Sequence, residues 1–464
     1  MLRPPFSTMK PFALLLLGSV ALPALAATPA PSWEDDIRPI LKARCWKCHS
    51  DDEQKADLNL QTLAAALKGG SGGEVLKKGR PNSSLLMQSI EHEDGVEKMP
   101  PKSPKIPDAE IELIRRWILA GMPAGTGAGT PPPNQRLAFE PRPAGARPEN
   151  PAMPQGLPIA PPRSGLGNPV TALAASPWAP LIAVGELERI HFFHAETQTS
   201  LGFVPFPEGL PEVLRFSRDG ALLLAAGGKP VQSGKAALYD VATGQRLATF
   251  GDETDTVLAA DFSPDGQWVA LGGPAKVVKV FRTSDGSLAY KIAKHTDWIT
   301  ALEFSPDGMR LATADRTGGI HVWEAASGAI VLSLSEHKES VTAVTWRPDG
   351  KVLASGSEDG SVILWGLEDG FPVATMRGIH TPKPKGKQYG KVPGGVLSVA
   401  WTAEGGLLTA GRDRMARAWS GEGNRLAETE RLATLPARVV GVSGTKKAVI
   451  GDARGELVWW SAQP

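Results

Sequence analysis

The chain has 464 residues, 42% of them hydrophobic and 21% charged, which suits two or three domains with cores of their own and excludes a wholly disordered polymer. Fifty Lys and Arg against 49 Asp and Glu leave a formal net charge of +1, so no global attraction to nucleic acid or anionic lipid is expected. The only two cysteines lie three positions apart, which excludes a disulfide framework and a zinc-cysteine cluster, while 51 Gly and 41 Pro suit tight turns between short strands.

Residues 1–26 read as an export signal. Arg3 and Lys10 give a positive start, Pro11 to Leu22 an apolar stretch, and Ala24-Leu25-Ala26 small residues for cleavage; Met9 is an alternative start. The stretch is shorter than the ~20 residues of a membrane span, and no later segment is apolar enough to cross a bilayer. A periplasmic or otherwise exported protein is expected.

From Trp33 to Gly121 the pattern is helical. Ile37, Ile40 and Leu41 make one face of a helix over 35–44. A second short helix over 60–67 ends at Gly69-Gly70, and a third runs from Ser83 to Ile90. Pro107-Asp108 opens the clearest helix, with Ile111, Ile114, Trp117 and Ile118 on one side and Gly121 and Pro123 at its end.

Cys45-Trp46-Lys47-Cys48-His49 follows the first helix directly. Cys-x-x-Cys-His is the attachment signal of c-type haem: each thiol adds to one vinyl group of a single porphyrin, and the adjacent imidazole ligates the iron. A redox dithiol is the alternative reading, but it needs a strand-helix context and has no use for His49. Met99, followed by Pro100 and Pro101, is the leading candidate for the sixth ligand, since two prolines fix the loop that presents the sulfur. Met87, Met122 and His92 compete, and core packing is the ordinary role of a methionine.

Together with Asp36–Leu41, Lys55–Leu60, Gly79–Leu86 and 111–121, these motifs make residues 33–121 resemble the Planctomycete-type cytochrome c domain. The resemblance implies one covalent haem c on Cys45 and Cys48, with His49 and Met99 as the axial metal ligands. It also implies a small all-α, class I cytochrome fold in which the first and last helices cross, Ile37 and Ile40 facing Ile114 and Trp117.

Residues 122–169 hold 13 Pro and 7 Gly without periodicity, the pattern of a semi-rigid linker, extended rather than packed. Beyond it the sequence repeats. Phe216, Phe262, Phe304 and Trp346 each begin a turn motif ending in Asp-Gly, at offsets of 46, 42 and 42. Tyr239, Phe281, Trp323 and Trp365 recur every 42 residues, and Trp401 and Trp419 continue both series. A period of about 40–45 residues with four short strands is that of a β-propeller blade. Seven units are expected, beginning near Val170, Pro211, Thr256, Ile299, Val341, Val396 and Arg438. The last has three strands, so a segment just before Val170 is expected to complete it.

Residues 170–464 resemble WD-repeat propellers. His337, Ser355, Asp359 and Trp365 occupy the places of the hydrogen-bonded tetrad that stiffens a blade in that family. His295, Thr313 and Trp323 fit another blade, whose Asp place holds Thr317, and Thr409, Asp413 and Trp419 fit a third. An insertion over 378–395 carries Lys383, Lys385, Lys387 and Lys391 and no acid, a candidate contact for a redox partner or simply a solvated loop.

A haem held by two protein ligands has no free position for substrate, so electron transfer is the first functional reading, with the propeller docking a partner protein. No residue is assigned a catalytic role. An enzyme with a second haem in the propeller needs histidines near its axis, and only His191, His194 and His321 lie outside the turns that lead into blades. A redox or gas-sensing scaffold, or a subunit of a larger oxidoreductase complex, are the other readings.

Overall fold

The computed structural model describes residues 31–51, 53–101, 103–123, 147–160, 168–382 and 394–461. The expected export signal, residues 1–26, lies outside them, as do the lysines of the 378–395 insertion. The chain divides into two units, Met1–Ala128 and Gly129–Pro464.

In the first unit a π-helical turn, Trp33–Ile37, runs into helix α1, Arg38–Arg44, with Pro39 in its first turn, where a missing N–H costs nothing. Helix α2, Leu63–Lys68, is capped by the Thr62 hydroxyl, which accepts the Ala65 N–H at 3.1 Å. Helix α3 spans Leu85–Glu91 and helix α4 Asp108–Leu119, the latter with Asp108 and Glu110 in its first turn and Arg116 in its last, favourable against the helix dipole. The apolar stripe of α4 (Ile111, Ile114, Trp117 and Ile118) is buried as expected. It meets the turn before α1 more than α1 itself. Trp33 packs on Trp117 with ring centroids 5.5 Å apart, Ile37 is fully buried, and Ile40 only partly. At the surface Arg44 and Glu110 tie α1 to α4 through a 2.9 Å ion pair.

The second unit is a β-propeller of seven sheets in chain order, six of four strands and the last of three among the described residues. The inner strands are Leu173–Ala175, Leu210–Phe216, Ala259–Phe262, Ile299–Phe304, Val341–Trp346, Val396–Trp401 and Pro436–Gly441, each within a few residues of its expected start. No blade can bury both faces alone. Each of the seven apolar clusters accordingly draws on two neighbouring blades, and one of them joins Val170, Leu173 and Ile182 of the first blade to Val442 and Val449 of the last. Ring closure thus runs through face-to-face packing and a hydrogen bond of 3.0 Å from Val170 N–H to Asp452 O. The segment just before Val170, expected to supply a fourth strand to the last blade, forms none at 168–169, and residues 161–167 lie outside the described residues.

Neighbouring blades meet at glycines. A Cβ on Gly451 would sit 2.4 Å from Val170 Cγ1, one on Gly272 2.6 Å from Ile299 Cγ2, and one on Gly356 2.8 Å from Val396 Cγ1. Only glycine leaves room there for the β-branched residue at the start of the next inner strand or, for Val170, three residues before it.

Within the Pro-rich stretch 122–169, the described residues 147–160 depart from the expectation of an unpacked linker. Ala152, Met153 and Leu157 pack against the cluster shared by blades 1 and 2. Gln155 N–H donates to Ala242 O at 2.9 Å, and Phe203 N–H donates to Pro158 O at 3.1 Å. The segment therefore covers the edge of the outer strand of blade 1, Ser200–Pro205, which would otherwise present unpaired main-chain groups. Gly202 makes the seat: its φ is +108°, and a Cβ there would lie 2.7 Å from Leu157 Cβ and 2.9 Å from Pro158 O. Gly202→Ala is expected to lift the segment off the blade, read as faster limited proteolysis within 147–160 at unchanged far-ultraviolet dichroism.

Candidate cofactor site

Cys45 is the first residue past α1, and the chain stays coiled through the motif. Cys45 N–H donates to Leu41 O at 2.8 Å, Cys48 N–H to Cys45 O at 3.1 Å, and His49 N–H to Cys45 O at 3.0 Å. Both thiols and the imidazole are thereby presented from one turn. Two further main-chain bonds hold its far end, Lys55 N–H to Cys48 O and Leu60 N–H to His49 O, both 2.9 Å.

Trp46 sets which way the turn faces. Its indole is buried and donates to Leu60 O at 2.9 Å, while the Arg38 guanidinium and the Lys42 ammonium lie 5.6 and 5.4 Å from its ring. These contacts place cationic groups on the ring face and anchor the motif's second residue in the core. Sequence reasoning passed over Trp46, although an aromatic between the two cysteines is the visible signal.

Both cysteines are half-buried and unpaired. Burial pushes the Cys45 thiol up to about 12, with Glu110 adding to the rise and Arg44 opposing it, so this sulfur is a neutral thiol at any physiological pH. His49 Nδ1 is buried and meets no hydrogen-bond partner among the described residues. A buried polar nitrogen without a partner is costly. Two free thiols and such an imidazole on one turn fit the donor set of a c-type haem.

Met99 is half-buried against the same apolar cluster that Cys45 joins. Its loop is held by Met99 N–H donating to Ser89 O at 3.0 Å, and the Met99-Pro100 bond is cis. His92, the competing ligand, is engaged elsewhere: its Nε2 lies 3.1 Å from Met99 O and so braces that loop. Met87 is fully buried in the core and Met122 nearly so, past the end of α4.

In the propeller the structure builds three complete tetrads. In blade 5 His337 bridges Ser355 (Nε2 to Oγ, 2.7 Å) and Asp359 (Nδ1 to Oδ2, 3.0 Å), and Trp365 Nε1 donates to Ser355 at 2.8 Å. In blade 4 His295 and Trp323 converge on Thr313, both at 2.7 Å. The acid of blade 4 corrects the sequence reading, because Asp315, two residues before the place held by Thr317, takes the His295 Nδ1 contact at 2.8 Å. Thr317 instead donates its hydroxyl to Asp315 at 2.7 Å. Blade 6 completes its set with His380, whose ring spans Thr409 and Asp413 at 2.8 Å each. The remaining propeller histidines are also occupied: His191 is buried with Nε2 2.7 Å from Ser200, His194 Nδ1 accepts the Glu196 N–H at 3.2 Å, and His321 Nδ1 lies 3.0 Å from Ser333.

Comparison with known families bears on both units. Residues 45–103 match the family described as Planctomycete cytochrome C, residues 328–366 the WD domain, G-beta repeat, and residues 260–346 the anaphase-promoting complex subunit 4 WD40 domain. No curated protein matches the chain. Among the described residues no helix is long and apolar enough to cross a membrane.

Proposed function

With a Planctomycete-type cytochrome c domain joined to a seven-bladed WD-repeat propeller as the premise, we propose that this is an exported monohaem c-type cytochrome that carries electrons, its propeller serving to dock a partner protein. The observation that carries the reading is the single turn holding Cys45, Cys48 and His49, with both thiols unpaired and the buried imidazole nitrogen without a partner among the described residues. Cys45 and Cys48 would hold one porphyrin covalently, and His49 and Met99 would be the protein ligands of its iron. Haem so ligated supplies a one-electron iron couple, and a thioether ligand raises its potential.

The chain's own groups do the rest. Main-chain bonds on both sides of His49 restrain the imidazole, and the buried Trp46 keeps the turn seated on the core. Ser89 and His92 hold the Met99 loop at 3.0 and 3.1 Å, and such bracing reduces the rearrangement that accompanies a change of charge at a metal. Export rests on the leader at residues 1–26, whose pattern matches a secretory signal. A docking role for the propeller rests on its repeat type.

The test is a reduced-minus-oxidised spectrum of the exported full-length protein beside a Met99→Ala variant. The wild type is expected to be six-coordinate and low-spin, with a thioether band at the red edge that the variant lacks. An unchanged spectrum in the variant would remove Met99 from the ligand set, and an open sixth position in the wild type would favour a sensor over a carrier.

A further inference from the structure

The inner strands of all seven blades wall a space of about 110 Å³ on the propeller axis. Its charged lining comes from Glu212 and Arg215 of blade 2 and Arg438 of blade 7. Two of these sit where the inner strands bulge, between Pro211 and Val213 and between Pro436 and Arg438. A bulge leaves its extra residue out of the ladder and re-aims the side chains beside it. In blades 4 and 5 the extra residue is a threonine, and Thr300 and Thr342 donate their hydroxyls to Val341 O and Val396 O of the next blade at 2.6 and 2.9 Å. Blade 2 has Glu212 in that place, and its carboxylate meets no hydrogen-bond partner among the described residues.

The three charges are unevenly answered. Arg215 faces acids of the inner strands of blades 3 and 4, its Nη2 3.5 Å from Glu303 Oε2 and its Nε 3.9 Å from Asp261 Oδ1. Both acids are held in turn by main-chain N–H groups, Trp346 donating to Glu303 at 3.1 Å and Phe304 to Asp261 at 2.8 Å. Arg438 has no such pair. Its Nη1 donates to Ala437 O at 3.1 Å, and no carboxylate lies within ion-pair distance of its guanidinium among the described residues. It is still close enough to feel its neighbours: burial works against its charge, Glu212 offsets part of that, and Arg215 adds to it. Glu212 is a weak counterpart, because burial pushes its carboxyl up while Arg438 opposes the rise. A guanidinium keeps its proton, so a charge set this deep without a paired acid calls for an anion.

We infer that this axial space binds a small monocarboxylate, held by both of its oxygens on the Arg438 guanidinium. The planar fork of an arginine matches a carboxylate in two parallel hydrogen bonds. One negative charge answers the one cation left over, whereas a second would have no counterpart and would face Glu212. The volume suits it, since a cavity of ~150 Å³ holds benzene and this one therefore admits an ion of about four heavy atoms.

The experiment is a titration of the reduced, haem-loaded full-length protein with sodium acetate, followed by saturation transfer to the acetate methyl protons at an ionic strength held constant with sodium chloride. A saturable signal is expected. Arg438→Gln is expected to weaken binding roughly tenfold, and Arg438→Lys, which keeps the charge and loses the fork, by a smaller factor. Glu212→Gln removes the opposing charge and is expected to tighten binding about threefold, a gain that a misfolded channel cannot produce. Sodium sulfate at the same ionic strength is expected to leave the acetate signal in place. No saturable transfer, undiminished affinity in Arg438→Gln, or full displacement by sulfate overturns the inference. The readout does not involve the haem, so its failure leaves the electron-transfer reading untouched.

Discussion

Replacing both Cys45 and Cys48 by alanine is expected to yield an exported chain whose pigment is extracted completely by acidified acetone, whereas the wild type keeps its colour in the protein fraction. Each single replacement leaves one thioether and one free vinyl group, so the pyridine haemochrome band moves to longer wavelength and the pigment stays bound. The expectation follows from geometry: the same coiled turn presents both sulfurs, with Cys48 N–H on Cys45 O at 3.1 Å, and no other cysteine exists to substitute. Intact mass spectrometry under denaturing conditions measures it directly. A wild-type chain with the bare polypeptide mass would end the haem reading, and a double variant that still carries the group covalently would move the attachment elsewhere.

The second large effect is expected in the propeller. In blade 5, His337→Ala strips the bridge between Ser355 and Asp359 and leaves their buried polar atoms to be satisfied by nothing or by water, at a cost of about 2–4 kcal/mol in denaturant unfolding. Trp365→Phe loses the bond to Ser355 and also leaves part of the space of a fully buried indole unfilled, for about 2–3 kcal/mol. An unchanged unfolding midpoint in His337→Ala would show that the network contributes nothing to the blade.

Acid sharpens this prediction. Burial alone would raise the carboxyls of Asp315, Asp359 and Asp413, but the hydrogen bonds they receive from His295, His337 and His380 and from nearby hydroxyl, main-chain and, in blade 6, Arg417 groups outweigh it and hold all three below the usual carboxylate range. Their contribution is full above about pH 4 and is lost as pH falls through the depressed values. Burial also lowers His295 and His380, and together with the nearby His295 it takes His321 down to about 4. These rings stay neutral in the fold while the unfolded chain takes up protons near pH 6.5, so stability starts to fall below about 6.5. The melting temperature is expected to drop steadily from pH 7 to 4, with a shallower drop in His321→Gln. A flat profile over that range would contradict neutral buried rings.

What could be read from the sequence was whatever repeats at fixed spacing or depends on neighbours along the chain. The 42-residue recurrence of Phe281, Trp323 and Trp365 marks blades because each indole or phenyl packs at the same register. Cys45 to His49 is legible because the chemistry itself needs that spacing. Asp315 escaped because two different backbone positions can bring a carboxylate to the same imidazole, and a pattern sees only one of them. His380 was placed in a turn leading into a blade but not joined to Thr409 and Asp413 for a related reason: His295 and His337 stand nine residues before Phe304 and Trp346, whereas 21 separate His380 from Trp401, the insertion falling between ring and strand. The packing of 152–158 was hidden because a Pro-rich stretch has no periodicity of its own, and its seat at Gly202 lies some 45 residues further along. The weight of Trp33 was hidden too, since a single aromatic outside the i, i+4 stripe gives no sign that Trp117 waits opposite.

The junction that shuts the ring is built like those inside it. Val170 lies on Gly451 as Ile299 lies on Gly272 and Val396 on Gly356, and the bond from Val170 N to Asp452 O matches the one from Ile299 N to Gly273 O, both 3.0 Å. Nothing in these contacts marks where the polypeptide starts. A circularly permuted propeller opened ahead of Ile299, with its old ends tied together, would face the same joint at its new termini, so the position of the break is a matter of gene order and not of architecture.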